Sequence, residues 1–439
     1  MNGSGPTAPA GSVPGRRSRL AHAFVLAAAA CCALFAAACS TSREYPRTEA
    51  GIRRLLQDFA DDYVRDTRSV GIVIGVILPD DTSFMAVSGR SDVLDPQKEL
   101  APGTIFPIGS LTKNMVFEMA AELERTGQVD LDTLLKDCPG LDLPPEYASV
   151  TVRDLLLHRS GLPRESYTLV NVWPVIAAEI WDSNVYENFC TREGLIETLS
   201  NSECRSAVSH PRSRYSNLGY GLLGLALESI TGETVPELME RTVIRPWGLR
   251  DTSFGPPEGK EDRIVGTHSG DIPFFWFRGR HVRSHYLGEG LRTAGGVWSS
   301  ASDQMICLRK YRERFLAMDR EQPFEGPFGE AEVHYNYYLV DSSGGHRCLI
   351  RYGMTFGVAS FFGIDLDTRT AILILRNNCD WPDGVGMDLL NSLEKVIPDA
   401  ESWPASGPDA GLVNPVSWDR RAFPAFFCQD PSKDFFRNG

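Results

Sequence analysis

Strand-like runs lie near both ends of this chain and helix-like runs between them, an order that constrains the fold more than any other feature of the sequence. After a helix-patterned stretch from Ile52 to Asp66, Val70 to Leu78 and Ser83 to Ser88 read as paired strands. Far along the chain, Val333 to Val340 alternates apolar with polar residues for part of its length, and Gly344-Gly345 turns it into His346 to Tyr352. Val358 to Leu366, a turn at Asp367-Thr368 and Thr370 to Leu375 continue an antiparallel meander, and a helix from Met387 to Val396 follows. This order is expected where the two ends share one sheet and residues from about 107 to 290 build a helical subdomain on its edge, an α+β arrangement.

The middle opens on Ser110-Leu111-Thr112-Lys113, directly after the apolar run Ile105 to Ile108. Leu111, Met115, Met119 and Leu123 recur every four residues with Val116 and Ala120 beside them, and Gly127 closes the helix. Residues three apart on a helix share a face, so the Lys113 amine can hydrogen-bond the Ser110 hydroxyl. At the first turn, free N–H groups and the positive dipole end favour a developing oxyanion. A partly desolvated lysine there loses basicity and becomes a proton acceptor near neutral pH. Taken alone, the pattern also fits a capping serine with a solvated lysine one turn on.

A second constellation, Tyr215-Ser216-Asn217, sits a hundred residues later within Arg214 to Gly224. It supplies a phenol to share a proton with Lys113 and an amide to orient a substrate. In this order and separation, Ser110-x-x-Lys113 and Tyr215-x-Asn217 resemble the penicillin-recognising serine hydrolases of the class C β-lactamase type. That family includes D-alanyl-D-alanine carboxypeptidases and β-lactamase-fold esterases. Leu155 to Leu162, Pro246 to Thr252 and Ala294 to Ser300 fit the same pattern, so the resemblance runs from about Arg53 to Val396.

The resemblance implies an antiparallel sheet flanked by helices with an all-helical subdomain. It implies acyl transfer with Ser110 as nucleophile, Lys113 and Tyr215 moving its proton, and no metal or organic cofactor. Asn217 would hold a substrate amide. The family's Lys-x-Gly or His-x-Gly strand matches Arg351-Tyr352-Gly353-Met354 here, with Arg351 in the cation position facing a substrate carboxylate. Gly353 would allow close approach of a substrate backbone, and the Met354 N–H would join that of Ser110 as oxyanion donor. Tyr352 replaces a small residue, and its bulk would narrow the cleft against β-lactams. A peptide or ester acyl donor of the cell envelope is therefore expected, with β-lactam hydrolysis and a catalytically idle scaffold as alternatives.

Other motifs are weaker. Gly219-Tyr220-Gly221-Leu222-Leu223-Gly224 has a dinucleotide-binding spacing but lacks the preceding strand, and reads as a helix packed through its glycines. His281 and His285 are four apart without the glutamate of a zinc motif. There is no G-x-S-x-G nucleophile elbow, which argues against an α/β-hydrolase. His158-Arg159-Ser160-Gly161 is a structural turn in the resembling family, so Ser160 is not read as a nucleophile.

Residues 1–38 read as a lipoprotein-type export signal, with Arg16, Arg17 and Arg19 before an apolar run from Leu20 to Ala38. Cys39 would then be acylated and tether the chain to a membrane; an uncleaved apolar anchor is the alternative. Either places the catalytic part in the cell envelope. The expected organisation is a linker at 39–50, a hydrolase domain at 51–397 and a tail at 398–439. Losing residues 1–38 removes three arginines and no acids, taking the formal net charge from −13 to −16. Such a chain is poorly suited to nucleic acid, and its partners are expected to be small molecules or peptides. Cys190 with Cys204, and Cys348 with Cys379, are pairings an exported chain could form. Arg164 to Arg205 and Pro273 to Tyr286 read as surface insertions or substrate lids.

Overall fold

The computed structural model describes residues 43–67, 69–165, 191–211, 214–270, 278–283, 287–317, 333–334, 337–379 and 382–397. Helix α1 (Glu49–Thr67) buries Ile52, Leu55, Leu56 and Ala60, the three-and-four spacing of one apolar stripe. Strand β1 (Gly71–Ile77) is buried along its whole length and forms a hairpin with β2 (Ser83–Gly89). Strand β3 (Ile105–Pro107) leads through a 3-10 turn at Gly109–Leu111 into helix α2 (Thr112–Arg125). Gly127 takes φ +70° just past that helix, as a left-handed cap requires.

Shorter helices follow, then α3 (Asn217–Thr231), then β4 (Ser253–Phe254), β5 (Thr267–His268), β6 (His281–Val282), β7 (Val297–Ser300) and α4 (Ala301–Ala317). The end of the described chain supplies β8 (Val333–His334), β9 (Tyr337–Asp341), β10 (Arg347–Thr355), β11 (Val358–Asp365), β12 (Ala371–Arg376) and α5 (Pro382–Leu393). The expected N- and C-terminal strands do share one sheet: its order is β2-β1-β12-β11-β10-β9-β8, with β1 and β12 antiparallel neighbours. The helical region carries small sheets as well, one of order β3-β7-β4 and one pairing β5 with β6.

The register decides what each face of the large sheet sees. Gly75, Leu373, Phe362 and Arg351 form one row across β1, β12, β11 and β10. A Cβ at Gly75 would meet the Met305 sulfur of α4, so this row faces α4 and the helical region. The next row is Ile74, Ile374, Phe361 and Tyr352. A Cβ at Gly386 of α5 would meet the Phe361 ring, so this row faces the opposite way. Helix α2 lies between the sheet and the helical region with Met115, Val116, Met119, Ala120 and Leu123 fully buried. Truncating one of its larger side chains to alanine would cost about 2–5 kcal/mol.

Several expectations concern residues outside those described: residues 1–42 with Cys39, the tail at 398–439, Cys190, His285 and most of the 164–205 insertion. Cys348 and Cys379 are both free thiols. Cys348 lies opposite Asp365 at the start of β10, whereas Cys379 follows the far end of β12, so the sheet's length separates them. Among the described residues no helix is long and apolar enough to cross a membrane.

Candidate active site

The turn that carries Ser110 depends on two glycines. Gly109 takes φ +52°, and a Cβ there would lie 2.8 Å from the Met354 nitrogen. A Cβ at Gly353 would lie 2.4 Å from the Ile108 carbonyl oxygen and 2.8 Å from the Ser110 nitrogen. Ser360 fastens the same approach by donating from Oγ to the Ile108 carbonyl at 2.8 Å. The backbone nitrogens of Ser110 and Met354 thus belong to two segments pressed together. Gly353 is required for the approach of the Ser110 turn itself.

Three side chains converge at the start of α2. Ser110 Oγ lies 2.6 Å from the Tyr215 hydroxyl and 3.3 Å from Lys113 Nζ. Lys113 is fully buried and also donates to Asn217 Oδ1 at 2.7 Å and to the Ala294 carbonyl at 2.5 Å. Both of those atoms can only accept. They hold two of the three tetrahedral directions on Nζ, so the third points at Ser110, as an N–H when the amine is charged and as the lone pair when it is neutral.

The glycines of α3 place the Ala294 carbonyl. A Cβ at Gly221 would lie 2.3 Å from the Gly290 carbonyl oxygen, and one at Gly224 would lie 2.8 Å from Thr293 Cγ2. Thr293 also donates to the Tyr220 carbonyl. The dinucleotide-like spacing is therefore a packing surface that brings the 290–294 segment onto Lys113.

Tyr215 is set by the turn at His158, which takes φ +57°. The Ser216 N–H donates to His158 Nδ1 at 3.1 Å, and Ser216 Oγ caps α3 by accepting from the Gly219 N–H. Ser160 is buried and receives the Leu162 N–H, a structural position as expected from its motif. His281 stands on a strand rather than a helix.

Positive charge surrounds the phenol. Lys113 Nζ lies 4.7 Å, Arg351 Cζ 5.0 Å and Arg164 Cζ 5.5 Å from the Tyr215 ring centroid. Burial lowers the Lys113 amine to about 8, with Arg351 and Arg164 acting the same way against the pull of Tyr215. Burial alone would raise the Tyr215 phenol, but Lys113, Arg351 and Arg164 outweigh it and bring the group down to about 8. The two groups titrate as a pair.

Three sequence expectations shift in detail. Arg351 is 2% exposed and stacks on Tyr215, so its charge acts first on the phenol. Asn217 uses both ends of its amide, since Nδ2 donates to Glu165 Oε1 at 2.9 Å while Oδ1 serves Lys113. Tyr352 stands on the sheet face turned away from Ser110 and does not narrow the cleft on that side. Glu165 and Arg164 were not singled out from sequence. Their signal was adjacency: they follow the His158 turn directly, and the Arg164 carbonyl accepts the Asn217 N–H at 2.9 Å.

Comparison with known proteins agrees with this architecture. The chain matches the Beta-lactamase family over residues 53–393. It is 28% identical over 245 residues to the D-alanyl-D-alanine-carboxypeptidase/endopeptidase AmpH of Escherichia coli, an alignment taking in 52% of this chain and 56% of that protein. The chain thus spans little more than half the length of this curated relative. Among solved structures, the octameric penicillin-binding protein homologue from Pyrococcus abyssi superposes with TM-score 0.64 at 22% identity, covering 81% of this chain and 79% of its own. The class C β-lactamase from Rhodobacter sphaeroides superposes with TM-score 0.59 at 17% identity, covering 78% and 99%. With its sheet, its helical region and a family match over most of its length, this chain belongs to the serine β-lactamase and penicillin-binding protein family.

Proposed function

We propose that this protein is an exported serine hydrolase that takes an acyl group from a peptide or ester of the cell envelope onto Ser110 and passes it to water. The observation that carries this reading is the contact of Ser110 Oγ with Tyr215 at 2.6 Å and with Lys113 at 3.3 Å. A pair lowered to about 8 holds a useful fraction of its singly deprotonated form near neutral pH. That form takes the Ser110 proton as Oγ attacks the carbonyl carbon. The carbonyl oxygen becomes an oxyanion received by the N–H groups of Ser110 and Met354. Collapse of the intermediate breaks the bond to the leaving group, which departs with the proton from the pair. Water then repeats the sequence on the acyl-enzyme, with Tyr215 as base. Arg351 keeps the phenol acidic, and Asn217 holds Lys113 in place. No step calls for a metal or an organic cofactor.

Support for a peptide donor comes from the Escherichia coli relative, a D-alanyl-D-alanine-carboxypeptidase/endopeptidase. Export and tethering through Cys39 rest on the charged and apolar N-terminal pattern alone. Opening of a β-lactam ring is a second reading, favoured by Tyr352 facing away from the nucleophile. Turnover of a peptide ending in D-alanyl-D-alanine, of a small activated ester and of a penicillin, each beside Ser110→Ala, separates these readings. Hydrolysis of peptide or ester that vanishes in Ser110→Ala supports the first; penicillin turnover alone supports the second.

A further inference from the structure

At the opposite end of β10 from the nucleophile, three side chains from separate segments meet. His346 Nδ1 lies 2.9 Å from Asp365 Oδ2 and 3.5 Å from Glu394 Oε1, and one ligand atom from each residue falls within 4.8 Å of the others. Arg347 and Gly353 are six residues apart on the strand, so about 20 Å of sheet separates this cluster from the Ser110 turn. None of the three residues takes part in the proposed hydrolysis.

The cluster is built rather than incidental. His346 sits where the β9–β10 turn enters β10, with its N–H donating to Ser342 Oγ at 3.0 Å. Asp365 ends β11 and is 1% exposed; its Oδ1 is taken by the Asp367 and Thr368 N–H groups, which turns Oδ2 toward His346. Glu394 follows α5, and its side chain is 10% exposed. Its Oε1 is buried and has no hydrogen-bond partner, although it points at the other two ligand atoms. Gly344 leaves room for Glu394, since a Cβ there would lie 2.3 Å from Oε2.

Two carboxylates with one imidazole make a donor set of the kind bound by zinc and manganese. Bonds of about 2.0–2.2 Å in tetrahedral geometry place neighbouring ligand atoms about 3.3–3.6 Å apart. The observed separations of 2.9 and 3.5 Å, with all pairs of ligand atoms within 4.8 Å, bracket that spacing. A protonated ring balances one carboxylate, whereas a divalent cation balances both and gives Glu394 Oε1, which makes no hydrogen bond and lies 3.5 Å from the ring nitrogen, a direct ligand bond. We propose that His346, Asp365 and Glu394 bind a divalent transition-metal cation that clips the β9–β10 turn, the end of β11 and the segment just after α5 together. Solvent would complete the coordination at His346, the most exposed of the three at 33%.

Equilibrium dialysis of the whole purified chain, stripped with chelator and then exposed to Zn2+ or Mn2+, tests this when followed by elemental analysis. The expected result is about one ion retained per chain, falling to near zero in Glu394→Gln and in His346→Gln. Thermal unfolding of the wild type should move to higher temperature with metal and that of the variants should not. Circular dichroism of both variants identifies any that fail to fold, and Glu394→Gln, the same shape without the charge, is the decisive one if His346→Gln does fail. Retention of no metal by the wild type, or equal retention by folded variants, overturns the proposal.

Discussion

Ser110 Oγ and the Tyr215 hydroxyl are 2.6 Å apart, closer than Ser110 and Lys113 at 3.3 Å. The phenol, brought in by a segment a hundred residues away, is the nearer proton partner of the proposed nucleophile. The lysine one helical turn on lies 4.7 Å from the centroid of the phenol ring and draws the phenol's pKa down.

The pH dependence follows from the Lys113–Tyr215 pair at about 8. The working form has lost one proton from the pair, so activity is gained as pH rises and lost as it falls. On an activated ester, log kcat/KM should climb with unit slope up to about pH 8 and fall again above it as the pair gives up its second proton. At pH 6 it should stand on the order of 100-fold below its value near pH 8.

Removing the Tyr215 oxygen tests the phenol without disturbing its ring contacts. Tyr215→Phe should fold normally and lose about 10²–10⁴ in kcat, the usual range for a general acid–base group. An unchanged kcat would transfer the whole role to Lys113.

Arg351 stacks on Tyr215 and favours its ionised form. Arg351→Gln removes that charge, so the ascending limb of the kcat/KM profile should move to higher pH. Arg351→Lys should hold the limb close to the wild-type position. A profile identical in the glutamine variant would show that the charge does not reach the phenol.

Gly353 and Tyr352 are neighbours on β10 with opposite expectations. Gly353→Ala would force a methyl group against Ile108 and Ser110, costing about 1–3 kcal/mol in thermal unfolding and most of the activity. Tyr352→Ala, on the other face, should leave kcat/KM for a β-lactam or an ester within a few-fold of wild type. A large gain in β-lactam turnover would mean that Tyr352 does narrow the cleft.

Much of this architecture could be read from residues. The meander from Arg347 to Arg376 was legible because its apolar runs are short and its turns carry Gly344-Gly345 and Asp367-Thr368. Ser110, Lys113, Tyr215 and Asn217 stand out in the sequence because the proposed roles demand particular side chains, and the structure brings the four together. The Ala294 carbonyl was not, since any residue supplies one and only the packing of Gly221 and Gly224 places it. The direction of Tyr352 was available from strand alternation once Arg351 was taken to face the nucleophile. The cluster of His346, Asp365 and Glu394 has no local spacing to betray it; two turns and the start of α5's trailing segment bring it together. The 164–205 stretch hid Glu165 because nothing in a lone Arg-Glu pair announces an asparagine partner.

The most direct test of acyl transfer at Ser110 is the intact mass of the protein after brief exposure to a penicillin and, separately, to an activated ester, with Ser110→Ala alongside. Nucleophilic attack by Ser110 predicts a covalent adduct of one acyl group on the wild type with at least one of the two, absent from the alanine variant and mapping to the peptide that contains Ser110. No adduct and no turnover with either reagent, or an adduct that persists in Ser110→Ala, would contradict it.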